Sequence, residues 1–404
     1  MAARALAFWQ RSGGHKVATS DSEKKLVVTH IVSGDIWAGA EAQAFQLISG
    51  LQANGVIKPT VVVFNPGVLF DKLAALGIDV TLVDESALSP LSQIKTICTH
   101  LRQHSTDIIH THGFKENVLG TAAKYLTRVK RSVQTIHGSP ESKSTWRAPK
   151  RKLTHLLNRV LTGFCQDALV AVSQHLKTVL EPRYPNKTVI IRNFVDTDKV
   201  PTKPAEQPDD RRESDNPYRI TLVGRCVPVK RIDLFIDTIA SLRTDHKLDV
   251  EGSICGDGPL LETMKQYAKN KGVAQFIRFR GFVQDMEPEW ASMDALIMPS
   301  DHEGLPMTLL EALLRKVPVI AHNAGGIPEV LDHGNSGVLV SNHSAMGYAD
   351  KLAQLIKQPE MARQLAANGQ NHVKREFSKR ENVRKYETLY RAIALEKPYL
   401  AQST

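Results

Sequence analysis

A short apolar run that stops at a proline, crosses a polar loop and restarts as a helix constrains this chain more than any other stretch. Residues 295–298 (ALIM) read as a buried strand that ends at Pro299, and Pro306 is placed to open the helix that follows. The same strand, loop, helix unit recurs along the chain. Strands are expected at 25–32, 60–64, 80–83, 107–110, 132–136, 168–172 and 188–191, then at 218–223, 250–254, 295–298 and 317–321, with helical periodicity between them. Such alternation specifies an α/β fold with parallel sheets covered by helices. In an open sheet of this kind the carboxyl ends of the strands face the ligand crevice. Glu303 in the loop and Glu311 in the helix are therefore positioned to meet a ligand. Taken alone, two solvated glutamates at a helix end, the first favoured by the helix dipole, are the better explanation of this pair.

With 404 residues the chain has room for two domains, each with its own core. The boundary is expected at 196–217 (DTDKVPTKPAEQPDDRRESDNP), a stretch rich in Pro, Asp and Arg with almost nothing to bury. That gives a Rossmann-like domain at 25–195, the linker, a second Rossmann-like domain at 218–378, and a C-terminal helical stretch at 379–404. Val383, Tyr386, Leu389, Tyr390 and Ile393 form one apolar face of that last stretch. Residues 1–24 read as a loose tail, because the apolar run at 5–9 is too short for a signal-peptide core. No run is long and apolar enough to span a bilayer. The four cysteines form no C-x-x-C pair, which argues against a zinc site or a disulfide framework and fits a reducing, cytoplasmic setting. Lys and Arg total 52 against 42 Asp and Glu, so the protein should be drawn to anionic partners: nucleic acid, an anionic membrane or phosphorylated substrates.

Within the first half, His112 and His137 follow two expected strands at their cleft-facing ends, although a lone histidine there is more commonly structural. The segments 124–131 and 143–159 are strongly basic. The second carries Leu153, Leu156, Leu157, Val160, Leu161 and Phe164 at helical spacing among Lys150, Arg151, Lys152 and Arg159. A stripe of this kind lies on an anionic membrane or is buried in the core, and the sequence leaves both open. In the second half, Gly224-Arg225 and Lys230 flank a turn before a helix, and Gly256-Asp257-Gly258-Pro259 forms a glycine-rich turn of a kind that often only reverses the chain.

Taken together, these segments resemble glycosyltransferase family 4, retaining enzymes of the GT-B fold that use nucleotide-sugar donors. The likeness rests on Ala38-Gly39-Ala40-Glu41, His112, Gly224-Arg225 with Lys230, Gly256-Asp257-Gly258-Pro259, Glu303-Gly304 with Pro306 and Glu311 eight positions after Glu303, and Gly325-Gly326-Ile327-Pro328-Glu329. It runs from about residue 26 to about residue 390. Alanine stands at position 38 where the family has the first of two glycines.

The resemblance implies two Rossmann-like domains with the active site in the cleft between them, and a last helix that crosses back to the first. It implies that Arg225 and Lys230 grip the donor diphosphate, that Glu311 holds the ribose hydroxyls, and that Glu303 orients the donor sugar with backbone N–H groups around Gly304, Leu305, Gly325 and Gly326. His112, with His137 second, would lie near donor sugar and acceptor, Gly39 near the donor phosphates or the acceptor, and Gly256 and Gly258 at the substrate. The expected donor is a UDP- or GDP-sugar and the acceptor a glycan or lipid-linked molecule, in cell-surface polysaccharide, lipopolysaccharide or glycolipid synthesis. No cofactor or metal is expected, since two cations already answer the diphosphate charge. Asp196-Thr197-Asp198 spells the D-x-D pattern of metal-dependent transferases of another fold, but it opens the linker. The chain is expected to be cytoplasmic, peripheral on an anionic membrane, and not a nucleic-acid binder. Three other readings fit less of the sequence. A phosphorylase of the same fold lacks a recognisable pyridoxal-phosphate lysine here. An NAD-dependent enzyme would need G-x-G-x-x-G after the first strand, which residues 33–39 do not supply. A non-enzymatic basic nucleic-acid binder leaves the paired glutamates unexplained.

Overall fold

The computed structural model describes residues 25–138, 149–199 and 216–396, of which 149–155 by backbone alone. The expected tail at 1–24, the basic residues at 143–148, most of the linker and the last eight residues lie outside the described residues. The chain forms two wholly parallel sheets. The first has seven strands, β1 (Leu26–Val32), β2 (Ile57–Val63), β3 (Asp79–Leu82), β4 (Ile108–Thr111), β5 (Arg131–Ile136), β6 (Ala168–Ala171) and β7 (Thr188–Ile190), in the order β3-β2-β1-β4-β5-β6-β7. The second has six, β8 (Tyr218–Val223), β9 (Val250–Cys255), β10 (Ile277–Gly281), β11 (Ala295–Met298), β12 (Val319–His322) and β13 (Val338–Val340), in the order β10-β9-β8-β11-β12-β13. Each half is a doubly wound sheet whose strand order reverses once, between β1 and β4 and between β8 and β11. The loops leaving those strands splay apart and open a crevice.

Two strands, β10 and β13, have no counterpart in the sequence reading; β13 is only three residues long, and β10 alternates Arg278 and Arg280 with apolar residues at the sheet edge. Strand β2 starts three residues earlier than expected, with Pro59 inside it. Pro59 pairs with Val28 of β1, whereas β3 joins only from Thr60 onward, so on the β3 side no partner asks for the missing N–H.

The final helix, Lys379–Ala394, packs into the first half. Val383, Tyr386, Leu389 and Tyr390 share a core with Val28, Leu47, Leu51 and Ile108. Lys379 donates to Ser49 and Asn54 donates to Glu387, which fastens this helix to Gly39–Asn54. A second core crosses between the halves, joining Leu169, Leu176 and Tyr184 to Met298, Leu309 and Leu313.

The helix Pro149–Cys165 turns its polar side inward. Asn158 and Thr162 are buried and bonded to Asn117 and Gln134, while Leu156, Leu157, Val160 and Phe164 are exposed. Not all of the basic segment at 124–131 faces solvent. Lys124 is buried on Ser132, the Cys165 carbonyl and Asp167, and Arg131 is paired with Asp167 and Glu396, leaving Arg128 and Lys130 exposed.

Candidate active site

The two reversal points face each other across a cleft of about 1020 Å³. That volume is at the upper end of what small-molecule sites use. His112, His137 and Gly39 line one wall, and Arg225, Lys230, Gly256, Gly258, Glu303, Gly304, Leu305 and Glu311 the other. Eleven residues singled out from sequence are thus gathered in one crevice. Gly325 and Gly326 are the exceptions discussed below.

The second-domain wall is built from the loops after β8, β9 and β11. Lys230 Nζ donates to Glu303 Oε1 at 2.6 Å, and both side chains are mostly buried, 18% and 14% exposed. This ion pair joins the loop after β8 to the loop after β11, and the backbone bond from Asp301 N to Val229 O at 2.8 Å runs beside it. An ammonium has three N–H donors, so with one on Glu303 two more remain for an anion in the cleft. Arg225 brings a second positive charge to the same wall. Glu311 begins the second turn of the helix Met307–Leu314. Burial pushes its carboxyl up to about 7, against the pull of Arg315 and with a small push from Glu287.

Glycine sets how closely these loops approach. Gly256, at φ +155°, lies so close to the Gly224 carbonyl that an added Cβ would sit 1.9 Å from that oxygen, and a Cβ on Gly258 would meet the Cys226 carbonyl at 2.7 Å. Gly224 N bonds Cys255 O and Cys226 N bonds Asp257 O, so the two turns zip together with Arg225 between them. These glycines serve loop packing as well as lining the cleft.

Gly325 and Gly326 occupy a different place from the one expected. They lie behind the Glu303-Gly304 turn and do not line the cleft. Gly326 N donates to Glu303 O at 3.0 Å, so its N–H already has a protein partner and is not offered to a ligand. A Cβ on Gly326 would meet Gly304 O at 1.8 Å, and one on Gly304 would meet the His137 carbonyl at 1.9 Å. Gly304 is thus wedged between the two halves, and its lack of a side chain sets the distance across the floor of the cleft.

On the first-domain wall, both ring nitrogens of His112 are taken by other histidines. His30 Nδ1 lies 3.1 Å from His112 Nε2, and His137 Nε2 lies 3.3 Å from His112 Nδ1. In this arrangement both ring nitrogens of His112 are engaged by other histidines, while the residue itself lines the cleft. Glu41, in the first turn of Gly39–Asn54, also lines the cleft, and its carboxyl is pushed up to about 7, first by burial and then by Asp35 and Glu116. Asp196 and Asp198 are not among the lining residues. Asp196 contacts Lys199 and Lys379 at the start of the linker.

Several contacts that tie the site together were not anticipated from sequence, although Glu329 closes the Gly325–Glu329 segment already named. Glu329 accepts from Arg192 and from Gln174 N across the two halves, and Asn193 Nδ2 donates to Leu305 O at 2.7 Å. His30 stands mid-strand in β1, in register with His110 of β4, and a histidine inside an apolar strand was the one available signal for it.

Two family models match the chain: Glycosyltransferase Family 4 over residues 37–199 and Glycosyl transferases group 1 over residues 205–372. Among its relatives is the N-acetyl-alpha-D-glucosaminyl L-malate synthase of Bacillus anthracis, 27% identical over 72% of this chain and 75% of that protein. Another is the UDP-Gal:alpha-D-GlcNAc-diphosphoundecaprenol alpha-1,3-galactosyltransferase of Escherichia coli, 24% identical over 80% and 84%. The crystal structure of Anabaena Alr3699/HepE with UDP and glucose superposes with a TM-score of 0.78 over 91% of this chain and all of that one, at 21% identity, a likeness of fold. Two facing doubly wound sheets, the cations and paired glutamates on one wall of their cleft, and two models that together span nearly the whole described chain lead to one conclusion: the chain belongs to glycosyltransferase family 4, with the group 1 glycosyl transferase module as its second half and the GT-B fold.

Proposed function

We propose that the protein transfers a sugar from a nucleoside-diphosphate sugar to a lipid-linked or glycan acceptor with retention of configuration and without a metal ion. The observation that carries this reading is the joint placement of Arg225, Lys230, Glu303 and Glu311 on one wall of the cleft. Arg225 and the Lys230 N–H groups not used by Glu303 take the diphosphate. Glu311, as a carboxylate, accepts from the ribose hydroxyls. Glu303 holds Lys230 in place and orients the sugar. As the glycosidic bond breaks, charge builds on the diphosphate, and cations already in position stabilise it without reorganisation. The departing phosphate oxygen takes the acceptor proton on the face where the new bond forms, which preserves the anomeric configuration and leaves positioning as the protein's main task. A UDP- or GDP-sugar is the donor class, a reading supported by the UDP-Gal donor in the name of the Escherichia coli relative.

The lipid-linked acceptor is favoured over a soluble one by the exposed apolar side of Pro149–Cys165. Leu156, Leu157, Val160 and Phe164 continue onto Tyr125 and Leu126, because Tyr125 Oη reaches Cys165 Sγ at 3.3 Å. Exposed Arg128, Lys130 and Arg159 lie beside these residues in sequence. A face with apolar side chains outward and cations at its rim suits an anionic bilayer surface. No helix among the described residues is long and apolar enough to cross a membrane.

A thermal-shift panel of UDP-, GDP- and ADP-sugars tests the donor, since a ligand at 100 times its dissociation constant stabilises by roughly 2.7 kcal/mol. Turnover is expected to survive EDTA, to fall about 10²–10³-fold in Arg225→Ala or Lys230→Ala, and to give a product whose anomeric NMR coupling matches the donor. Manganese-dependent activity with Lys230→Ala unimpaired, or an inverted linkage, overturns the mechanism. Wild-type protein should sediment with anionic and not with neutral vesicles, and Leu157→Ser with Phe164→Ser should stay in the supernatant. Equal, weak sedimentation with both vesicle types removes the membrane from the proposal.

A further inference from the structure

Among the described residues that line the cleft, both cations, Arg225 and Lys230, belong to the second half, whereas the first half supplies Asp35 and Glu41 and neither a lysine nor an arginine. The two histidines of the first-half wall add no positive charge, because burial lowers His137 to about 4 and holds His112 well below its ordinary value. Two lysines beside this wall have other partners. Lys72 lies over the rings of Trp37 and Phe45, at 5.2 and 5.8 Å, and Lys115 is paired with Glu85 over the ring of Phe64.

Helix N-termini at the crevice of a doubly wound sheet are ordinarily seats for anions, because their first N–H groups have no partner within the helix. Two helices start at the first-half wall, Gly39–Asn54 after β1 and Phe114–Thr127 after β4. Each has its own glutamate folded back on those N–H groups. Glu41 accepts from its own N–H and that of Ala38, and Glu116 accepts from its own N–H and that of Lys115. Asp35 stands in the loop between β1 and the first of these helices. It is exposed, lines the cleft and has no ion-pair partner among the described residues; Ser33 Oγ donates to its Oδ1 at 3.0 Å. Burial is the main reason that Glu41 and Glu116 are pushed up, and Asp35 adds to both, so the three carboxyls lie within electrostatic reach of one another. An anion entering this wall finds its seats filled and a free carboxylate facing it. Hydroxyl groups find an acceptor there instead. Ile36 and Trp37, which follow Asp35 along the cleft, give apolar surface for the C–H face of a sugar ring.

We propose that Asp35 is a specificity-determining residue: it accepts hydrogen bonds from hydroxyls of the acceptor and, with the two helix N-termini already capped, restricts the first half of the cleft to an acceptor sugar that is uncharged. A phosphate or carboxylate on the ring that carries the attacking hydroxyl is turned away. The proposal rests on the glycosyl-transfer reading and names the acceptor class for it.

The test offers the full-length protein, with the donor found by thermal shift, neutral octyl glycosides (glucoside, mannoside, N-acetylglucosaminide) and their anionic counterparts (octyl glucuronide and octyl glycoside 6-phosphates). In kcat/KM the neutral glycosides should be favoured by about 10²-fold, the scale on which like charges brought together are rejected. Asp35→Asn should lower transfer to neutral glycosides about tenfold, since a charged hydrogen-bond acceptor becomes a neutral one, and raise transfer to the anionic ones. Asp35→Lys should reverse the preference. Asp35 is exposed in a loop, so both variants should fold, with urea midpoints as the check. Equal use of neutral and anionic glycosides by wild type, or a preference in Asp35→Lys within threefold of the wild-type ratio, overturns the proposal. If no glycoside of the panel is glycosylated, saturation-transfer NMR on the donor-loaded protein decides: signals from neutral glycosides that Asp35→Lys abolishes support the proposal, and no signal from any of them overturns it. Nucleotide-sugar binding with transfer to anionic acceptors alone sinks this proposal and leaves the glycosyl-transfer reading standing. Absence of both nucleotide-sugar binding and transfer sinks that reading and this proposal with it.

Discussion

Replacing Gly304 by alanine adds one methyl group at the point where the two halves meet. That carbon would lie 1.9 Å from the His137 carbonyl oxygen and 3.1 Å from Gly138 Cα, and nothing under 3.0 Å is tolerated between such atoms. The neighbour is backbone at the end of β5, not the tip of a flexible side chain. Retreat the other way is blocked, because the Gly304 carbonyl already rests on Gly326, which leaves no room for even a Cβ. The halves must therefore open by more than 1 Å at the cleft floor, and the adjoining Glu303, held to Lys230 at 2.6 Å, moves with Gly304. A 1 Å misplacement of positioned groups reduces turnover about 10²-fold, or about 2.7 kcal/mol in the barrier. Overpacking should also cost fold stability about 1–3 kcal/mol. The assay is kcat/KM with the donor identified by thermal shift, beside urea unfolding. Gly163→Ala serves as control, since its Cβ meets only the Tyr184 ring at 3.6 Å and it lies in a helix, where alanine stabilises by up to about 1 kcal/mol. A Gly304→Ala enzyme within threefold of wild type, with stability unchanged, would refute the argument that this contact sets the distance across the cleft.

Other outcomes follow from the same geometry. Glu311 must be ionised to accept two hydroxyls, and its carboxyl is raised to about 7, so donor affinity should weaken about tenfold per pH unit below 7 and level off above 8; Glu311→Gln should bind weakly with no such slope, measured with an intact nucleotide sugar. Because that carboxyl is raised above its ordinary 4.5, the folded state holds the proton more tightly than the unfolded chain. Wild-type stability should therefore drop relative to Glu311→Gln as pH climbs from about 4.5 to about 7, read from urea midpoints. Lys124→Met removes the buried ammonium shared by Ser132 Oγ, the Cys165 carbonyl and Asp167, leaving Ser132 Oγ as the side-chain donor to that carbonyl, and should cost roughly 3 kcal/mol in urea unfolding while sparing donor binding. Glu329→Ala unlinks Arg192 and Gln174 N across the halves, and should raise the KM for donor more than it lowers kcat.

The alternation of apolar strands and amphipathic helices determined, without any coordinates, two parallel α/β halves and the loops that carry ligand-facing residues. Local patterning suffices for this, because strand period, helix period and proline punctuation are properties of neighbours in sequence. It also located Glu303, Glu311, Arg225 and Lys230, since residues after strand ends have few other places to go in a doubly wound sheet. What it could not decide was what meets what across the halves. Gly304 against His137, Gly326 behind Gly304, Glu329 on Arg192, and the histidine row from β1 to the end of β5 depend on contacts between residues up to 167 positions apart, and no periodicity encodes a distance of that kind. The orientation of Pro149–Cys165 was undecidable for a related reason. Its apolar stripe fits a core or a membrane equally, and only the buried network of Asn117, Gln134, Asn158 and Thr162 on its other side turned that stripe outward, because buried amides need each other as partners and leucines on a surface need none.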